Sequence, residues 1–198
     1  EMVKKAIVMS AEFGSTQLGI HAGFRISPKV EELGKKIQGS NILPYNESLE
    51  KFKFEFEALA NFGKSHGVEL LLENNVFSAA NFRSFQGENP FFLTDTQDMA
   101  KMRKVFTFPL LLDVAHLKVS CKTLGLNFEN ELKTLIPQTT YIHLSDNGGA
   151  ADTNNEFSEE SLFMQILKKD KTMKRTFTIE VYDGLQSVRR CQDLLETH

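Results

Sequence analysis

Short apolar runs alternate with longer amphipathic stretches along most of the chain. EMVKKAIVMSAEFG places Val3, Ala6, Ile7 and Ser10 on one face, which predicts a helix ending at Gly14. A short strand follows at Gln17–His21, then a polar connection over 25–47 containing Pro28, Gly34, Gly39 and Pro44. In ESLEKFKFEFEALANFGKSHG, Leu49, Phe52, Phe56, Leu59 and Ala60 recur at helical spacing, and Gly67 is placed to stop the helix. VELLLENN, FPLLLDVAH, TTYIHLSD and TFTIEVYD read as strands. Between them lie predicted helices: TDTQDMAKMRKVF, which starts with a capping pattern, then LKVSCKTLG, FENELKTLI and SEESLFMQILKKDK. GLQSVRRCQDLLETH closes the chain as a helix, and Phe77–Thr94 reads as loop.

Strands such as Leu70–Leu72, apolar on both faces, belong to a parallel sheet covered by helices. Their alternation with helices predicts βα units. Two architectures fit about five such units: an open doubly wound sheet, or part of an eight-stranded barrel. A complete barrel typically needs about 250 residues, and this chain has 198. No linker or shift of composition divides it, so 1–198 is read as one domain.

Composition narrows the function little. The chain is 41% hydrophobic and 25% charged, with 17 phenylalanines and no tryptophan, as in an ordinary globular domain. A formal net charge of -3 gives no basic surplus for a nucleic-acid partner. Cys121 and Cys191 are far apart without CxxC spacing, so they read as thiols in a reducing compartment, the cytoplasm. No apolar run reaches the ~18 residues that cross a membrane. Asn46-Glu47-Ser48 matches a glycosylation sequon but follows no secretory signal. The chain opens at Glu1 in mid-pattern, which suggests that an N-terminal part is missing.

Chemistry gathers at the carboxyl ends of the strands. LGIHAG ends on His21, and ELLLENN on Glu73 with Asn74. LLLDVAH ends on Asp113 with His116 three residues on; YIHLSD holds His143 with Asp146 beyond. FTIEVYD ends on Glu180, with Asp183 beyond. The steps Glu73, Asp113, His143 and Glu180 are about 40, 30 and 37 residues, roughly one βα unit each. His66 and His198 look like surface residues at helix ends.

In parallel α/β folds the site forms at the carboxyl ends of the strands, so these residues are expected to converge. Buried carboxylates cost several kcal/mol unless paired or metal-bound. Each has a bland reading alone: Glu73 as a helix cap, Asp113 as a turn former, Glu180 paired with an arginine such as Arg189, His143 as a hydrogen-bonded core residue. Their recurrence on consecutive strands favours one divalent cation site. Carboxylates with an imidazole suit Mn²⁺, Mg²⁺, Co²⁺ or Zn²⁺ without choosing among them.

GVELLLEN, LLLDVAH, YIHLSDN and FTIEVYD, in this order and spacing, resemble the xylose isomerase-like TIM barrels. That superfamily holds sugar isomerases and epimerases and endonuclease IV-type AP endonucleases. The resemblance runs from LGIHAG to FTIEVYD, which would be strands four to eight of an incomplete barrel. It implies a metal held by Glu73, Asp113, His143 and Glu180, with the two glutamates as catalytic acid and base. It implies substrate contact at His116, with His21 and Asn74 beside it. The implied function is a sugar or sugar-phosphate isomerase or epimerase of the aldose-ketose isomerase or ketose epimerase type, working through a metal-stabilised enediolate.

The nuclease branch adds ligands from a DxH pair after strand seven. Here that pair reads Asp152-Thr153-Asn154, so Asp152 is a possible secondary metal ligand and Asn154 is a poor one. The loop also lacks an arginine that some sugar epimerases carry. A third reading is a barrel fragment that binds ligand without turning it over. The unpaired sheet edge it would expose suggests pairing with another chain as a homo-oligomer.

Overall fold

A computed structural model of the chain describes residues 1–32, 36–37, 41–170 and 174–196. Gly34, Gly39 and His198, singled out above, lie outside them. Five parallel strands form one sheet: β1 (Gln17–His21), β2 (Glu69–Glu73), β3 (Leu110–Asp113), β4 (Thr139–Leu144) and β5 (Thr176–Ile179). Their spatial order is their chain order, β1-β2-β3-β4-β5. A doubly wound sheet reverses its strand order at a switch point; this sheet does not, and it is wound in one direction as a half-barrel.

The helices are α1 (Met2–Glu12), α2 (Tyr45–Ser65), α3 (Ala79–Ser84), α4 (Thr96–Arg103), α5 (Val114–Leu124), α6 (Phe128–Leu135), α7 (Leu162–Lys169) and α8 (Leu185–Glu196). Strand side chains alternate between faces. Leu70, Leu72, Leu110, Leu112, Ile142 and Leu144 share the main core with residues of the helices. The opposite, concave face carries Gly19, Leu71 and Leu111. A Cβ at Gly19 would lie 2.6 Å from Leu111 Cδ1, so glycine leaves room for the leucine to fill the floor of the half-barrel. The many phenylalanines have a structural use: Phe52, Phe56, Phe92, Phe106 and Phe108 form a chain of ring contacts, with centroids 5.2–6.2 Å apart.

Several boundaries differ from the sequence reading, and the strands expected through VELLLENN and TFTIEVYD stop at Glu73 and Ile179. The strand predicted through FPLLLDVAH stops at Asp113, and α5 begins at Val114. Asp113 Oδ1 accepts the His116 N–H at 2.7 Å, so the aspartate starts the helix as its N-cap. Phe77–Thr94 contains α3, capped by Ser78. The helix expected from SEESLF starts only at Leu162.

Candidate metal centre at the strand ends

Parallel register sets the predicted residues side by side. His21 pairs with Glu73, and Asp113 with His143. Glu180 follows β5 and extends its ladder, donating its N–H to Leu144 O at 3.0 Å. Side chains from all five strands therefore meet at one end of the sheet.

His143 Nδ1 lies 3.1 Å from Glu180 Oε1, 3.4 Å from Glu73 Oε1 and 4.0 Å from Asp113 Oδ2. His116 Nδ1 lies 3.7 Å from Glu73 Oε1, and its Nε2 lies 3.1 Å from Asp152 Oδ2 and 3.8 Å from Asp113 Oδ2. His21 stands at the rim, 54% exposed at its side chain, with Nε2 3.9 Å from Glu73 Oε2. Asp113 is fully buried, and Glu73 and His116 are buried.

Opposed charges set the ionisation. Burial pushes Asp113 up to about 6, partly offset by His116. Burial also pushes Glu73 up, but His143, His21 and His116 outweigh it and hold the carboxyl below its ordinary value. Burial disfavours charge on His116, yet Asp113, Asp152 and Glu73 raise it to about 10. His143 moves up in the same way, with Glu73 ahead of Glu180 and Asp113 in opposing burial. At His21 burial dominates and the imidazole is lowered.

The donor set fits a divalent cation. Asp113 spends Oδ1 on the α5 N-terminus, and its buried Oδ2 has no hydrogen-bond partner. His143 Nδ1 is also buried, and faces the carboxylates of Glu180 and Glu73 without a well-aligned hydrogen bond. Both point into the cluster. Ligand atoms of Glu73, Asp113 and His143 lie within 4.8 Å of one another. A cation at 2.0–2.2 Å from its ligands separates them by about 3–3.6 Å, close to the 3.1 and 3.4 Å between His143 and the two glutamates. The carboxylates that raise His116 and His143 favour positive charge in the cluster, which a bound cation would supply instead. His21, Glu73 and His116 form a second group within the same limit.

The surrounding loops are fixed by polar contacts. Asn75 Nδ2 donates to Ala22 O at 2.6 Å and Phe92 O at 2.9 Å, which ties the exits of β1 and β2 together. Asp146, noted beyond β4, is drawn away from the cluster by Lys118 at 2.5 Å and Ser161 at 2.8 Å. Asp183, beyond β5, accepts from Glu156 N at 2.7 Å. Asn154 adopts φ 48°, and its Oδ1 accepts from Ser145 Oγ at 2.9 Å. Its carbonyl takes the Tyr182 N–H at 2.8 Å, so Asn154 pins the loop that carries Asp152. The Asn75 and Lys118 anchors were missed in the sequence. Lys118 had a usable signal, two residues beyond His116 on the helix that opens at the site.

No protein-family model and no curated protein matches this sequence. Solved structures do match. A D-tagatose 3-epimerase-like protein superposes with TM-score 0.68 at 14% identity, over 98% of this chain and 66% of its own. A xylose isomerase domain protein from Planctomyces limnophilus gives TM-score 0.60 at 14% identity, over 99% and 62%. A D-psicose 3-epimerase crystallised in the presence of D-fructose gives TM-score 0.58 at 12% identity, over 99% and 68%. At these identities the likeness is one of fold: the chain has the fold of the xylose isomerase-like barrels. It spans about two-thirds of the length of these structures. Among the described residues no helix is long and apolar enough to cross a membrane.

Proposed function

We propose that this chain is the site-bearing part of a divalent-cation-dependent isomerase or epimerase acting on a sugar or sugar phosphate, with its strands in the places of strands four to eight of a barrel. One observation carries the reading. Glu73, Asp113 and Glu180 converge on His143, and the buried Asp113 Oδ2 beside it has no hydrogen-bond partner. The fold shared with sugar epimerases agrees with it. The two buried free cysteines suit a reducing compartment such as the cytoplasm.

Mn²⁺, Mg²⁺, Co²⁺ or Zn²⁺ held by Glu73, Asp113, His143 and Glu180 would supply positive charge where a substrate oxygen gains negative charge. The remaining work falls to the side chains. Glu73 and Glu180 stand on two sides of His143, and Glu73 is held ionised by its histidines. One glutamate takes a proton from the carbon beside the carbonyl. The other, entering protonated, gives its own proton to the opposite face of that carbon in epimerisation, or to the neighbouring carbon in isomerisation, where a hydroxyl proton also passes between the two substrate oxygens. His116 turns Nε2 into the cluster, placed to hold a substrate hydroxyl, and His21 forms the rim.

The endonuclease-type reading draws on the second group, His21, Glu73 and His116, and on Asp152 beside His116. Two contacts oppose it. His116 Nδ1, the nitrogen that faces Glu73, is 3.0 Å from Asn74 O and committed to it. Asn154 gives its side-chain oxygen to Ser145. The sugar reading is therefore preferred.

The test is solvent exchange. The Mn²⁺-loaded chain is incubated with a panel of ketoses and their phosphates in D₂O, and carbon-bound deuterium is read by NMR. The proposal expects label on the carbon beside the carbonyl, reduced about 10²- to 10⁴-fold in Glu180→Gln. No label with any sugar from a fully loaded chain contradicts it.

A further inference from the structure

We propose that Asn74 is a positioning residue for the cluster: its side-chain amide aims Asp113, and its main-chain carbonyl fixes the ring of His116. The inference rests on the cation reading above. The β2–β3 ladder has only two register pairs, Leu72 with Leu110 and Glu73 with Leu111. Beyond them an ordinary rung between the strands is lacking, just where the ligands begin. Asn74 supplies one with its side chain. Its Oδ1 accepts the Asp113 N–H at 2.7 Å, and its Nδ2 donates to Asp113 O at 3.0 Å.

The two bonds grip Asp113 on both sides of its Cα. Both residues are buried, at 2% and 0% exposure, so water cannot replace either bond. With its main chain held and Oδ1 spent on His116 N, Asp113 has one direction left for Oδ2, into the cluster. The same asparagine accepts from His116 Nδ1 through its carbonyl at 3.0 Å. A carbonyl only accepts, so Nδ1 carries a hydrogen there, and the ring is turned with Nε2 facing Asp113 and Asp152. A single residue next to Glu73 thus orients side chains from the following strand and helix. Asn75, its neighbour, spends its amide on the carbonyls of Ala22, Gly23 and Phe92, none of them in the ligand set.

The role differs from substrate contact, which the sequence suggested for Asn74. It places Asn74 among the outer partners that tune a cation site, whose loss typically costs about 10–100-fold in affinity.

The test titrates the metal-free full chain with Mn²⁺ by calorimetry, for wild type, Asn74→Ala, Asn74→Asp and Tyr45→Phe, and records the ¹³C signal of the Asp113 main-chain carbonyl without metal. Asn74→Asp keeps an acceptor for Asp113 N–H and loses the donor, so it serves if the alanine variant does not fold. The expected result is affinity about 10–100-fold weaker in the Asn74 variants, unchanged affinity in Tyr45→Phe, and an Asp113 carbonyl signal shifted only in the Asn74 variants, which lose the Nδ2 donor to that oxygen. A folded Asn74 variant that binds Mn²⁺ as wild type does overturns the proposal. If wild type takes up no Mn²⁺, the cation reading fails by itself, and the Asp113 carbonyl signal decides: an unchanged signal in the Asn74 variants overturns the positioning role, and a shifted one supports it.

Discussion

His143 Nδ1 and Glu180 Oε1 lie 3.1 Å apart, although 37 residues separate them in the chain. Adjacent parallel strands bring them together, and the same nitrogen faces Glu73 from the other side. Glu180→Gln removes a charge while keeping shape. Burial lowers the His143 imidazole, and Glu73 and Glu180 raise it above its ordinary value. In the metal-free variant the His143 titration, followed by NMR, is therefore expected at lower pH than in wild type. A titration that does not move would mean that Glu180 faces elsewhere.

Asp113 has two separable duties. Its Oδ1 caps α5, and its Oδ2 points to the cluster. Asparagine can still accept the His116 N–H but carries no charge. Asp113→Asn is expected to keep the cap and lose cation binding. Asp113→Ala loses both, with a further stability cost of about 1 kcal/mol from the missing cap. Urea unfolding of the two metal-free variants measures the difference. Equal stability would show that the cap contributes nothing.

The strand-end residues were legible because each apolar run finished on a ligand-type side chain, at one βα unit per step. Less local features were not. Val114 and Ala115 continue the apolar run, so the strand seemed to go on to His116; the Asp113 cap ends it, and that depends on a side-chain rotamer. The six residues of α3 are too few for a helical period to emerge. Half-barrel or open sheet was decided by strand order, which no local pattern carries. Asn74 looked like a partner of Glu73 facing the substrate, while its amide is turned sideways to Asp113.

Gly19 bears on the floor of the site. Valine there would drive into Leu111, which is 1% exposed and has little space to yield. Gly19→Val is expected to destabilise the chain by about 1–3 kcal/mol through overpacking. Chemical denaturation checks it, and Leu111→Ala in the same background should recover part of the loss. Additive losses would contradict the contact.

Tyr45 tests electrostatics away from the cluster. Its hydroxyl donates to Asp98 Oδ1 at 2.6 Å, and burial together with that carboxylate raises the phenol well above its ordinary value. Tyr45→Phe is expected to cost about 1–3 kcal/mol at pH 7. A raised folded-state value contributes stability that is complete below the unfolded phenol's pKa of about 10 and is lost as pH rises through the folded value. The stability gap between wild type and variant should therefore narrow above about pH 10. A gap that widens there would contradict the assignment.

The strand-end acids and His143 are expected to form one cation site. Elemental mass spectrometry of the purified, undialysed chain, with Asp113→Asn beside it, tests this most directly. About one manganese, cobalt, magnesium or zinc per chain is expected in wild type, and far less in the variant, which retains its fold. No bound metal in wild type, before or after incubation with Mn²⁺, Co²⁺, Mg²⁺ and Zn²⁺, would contradict the account.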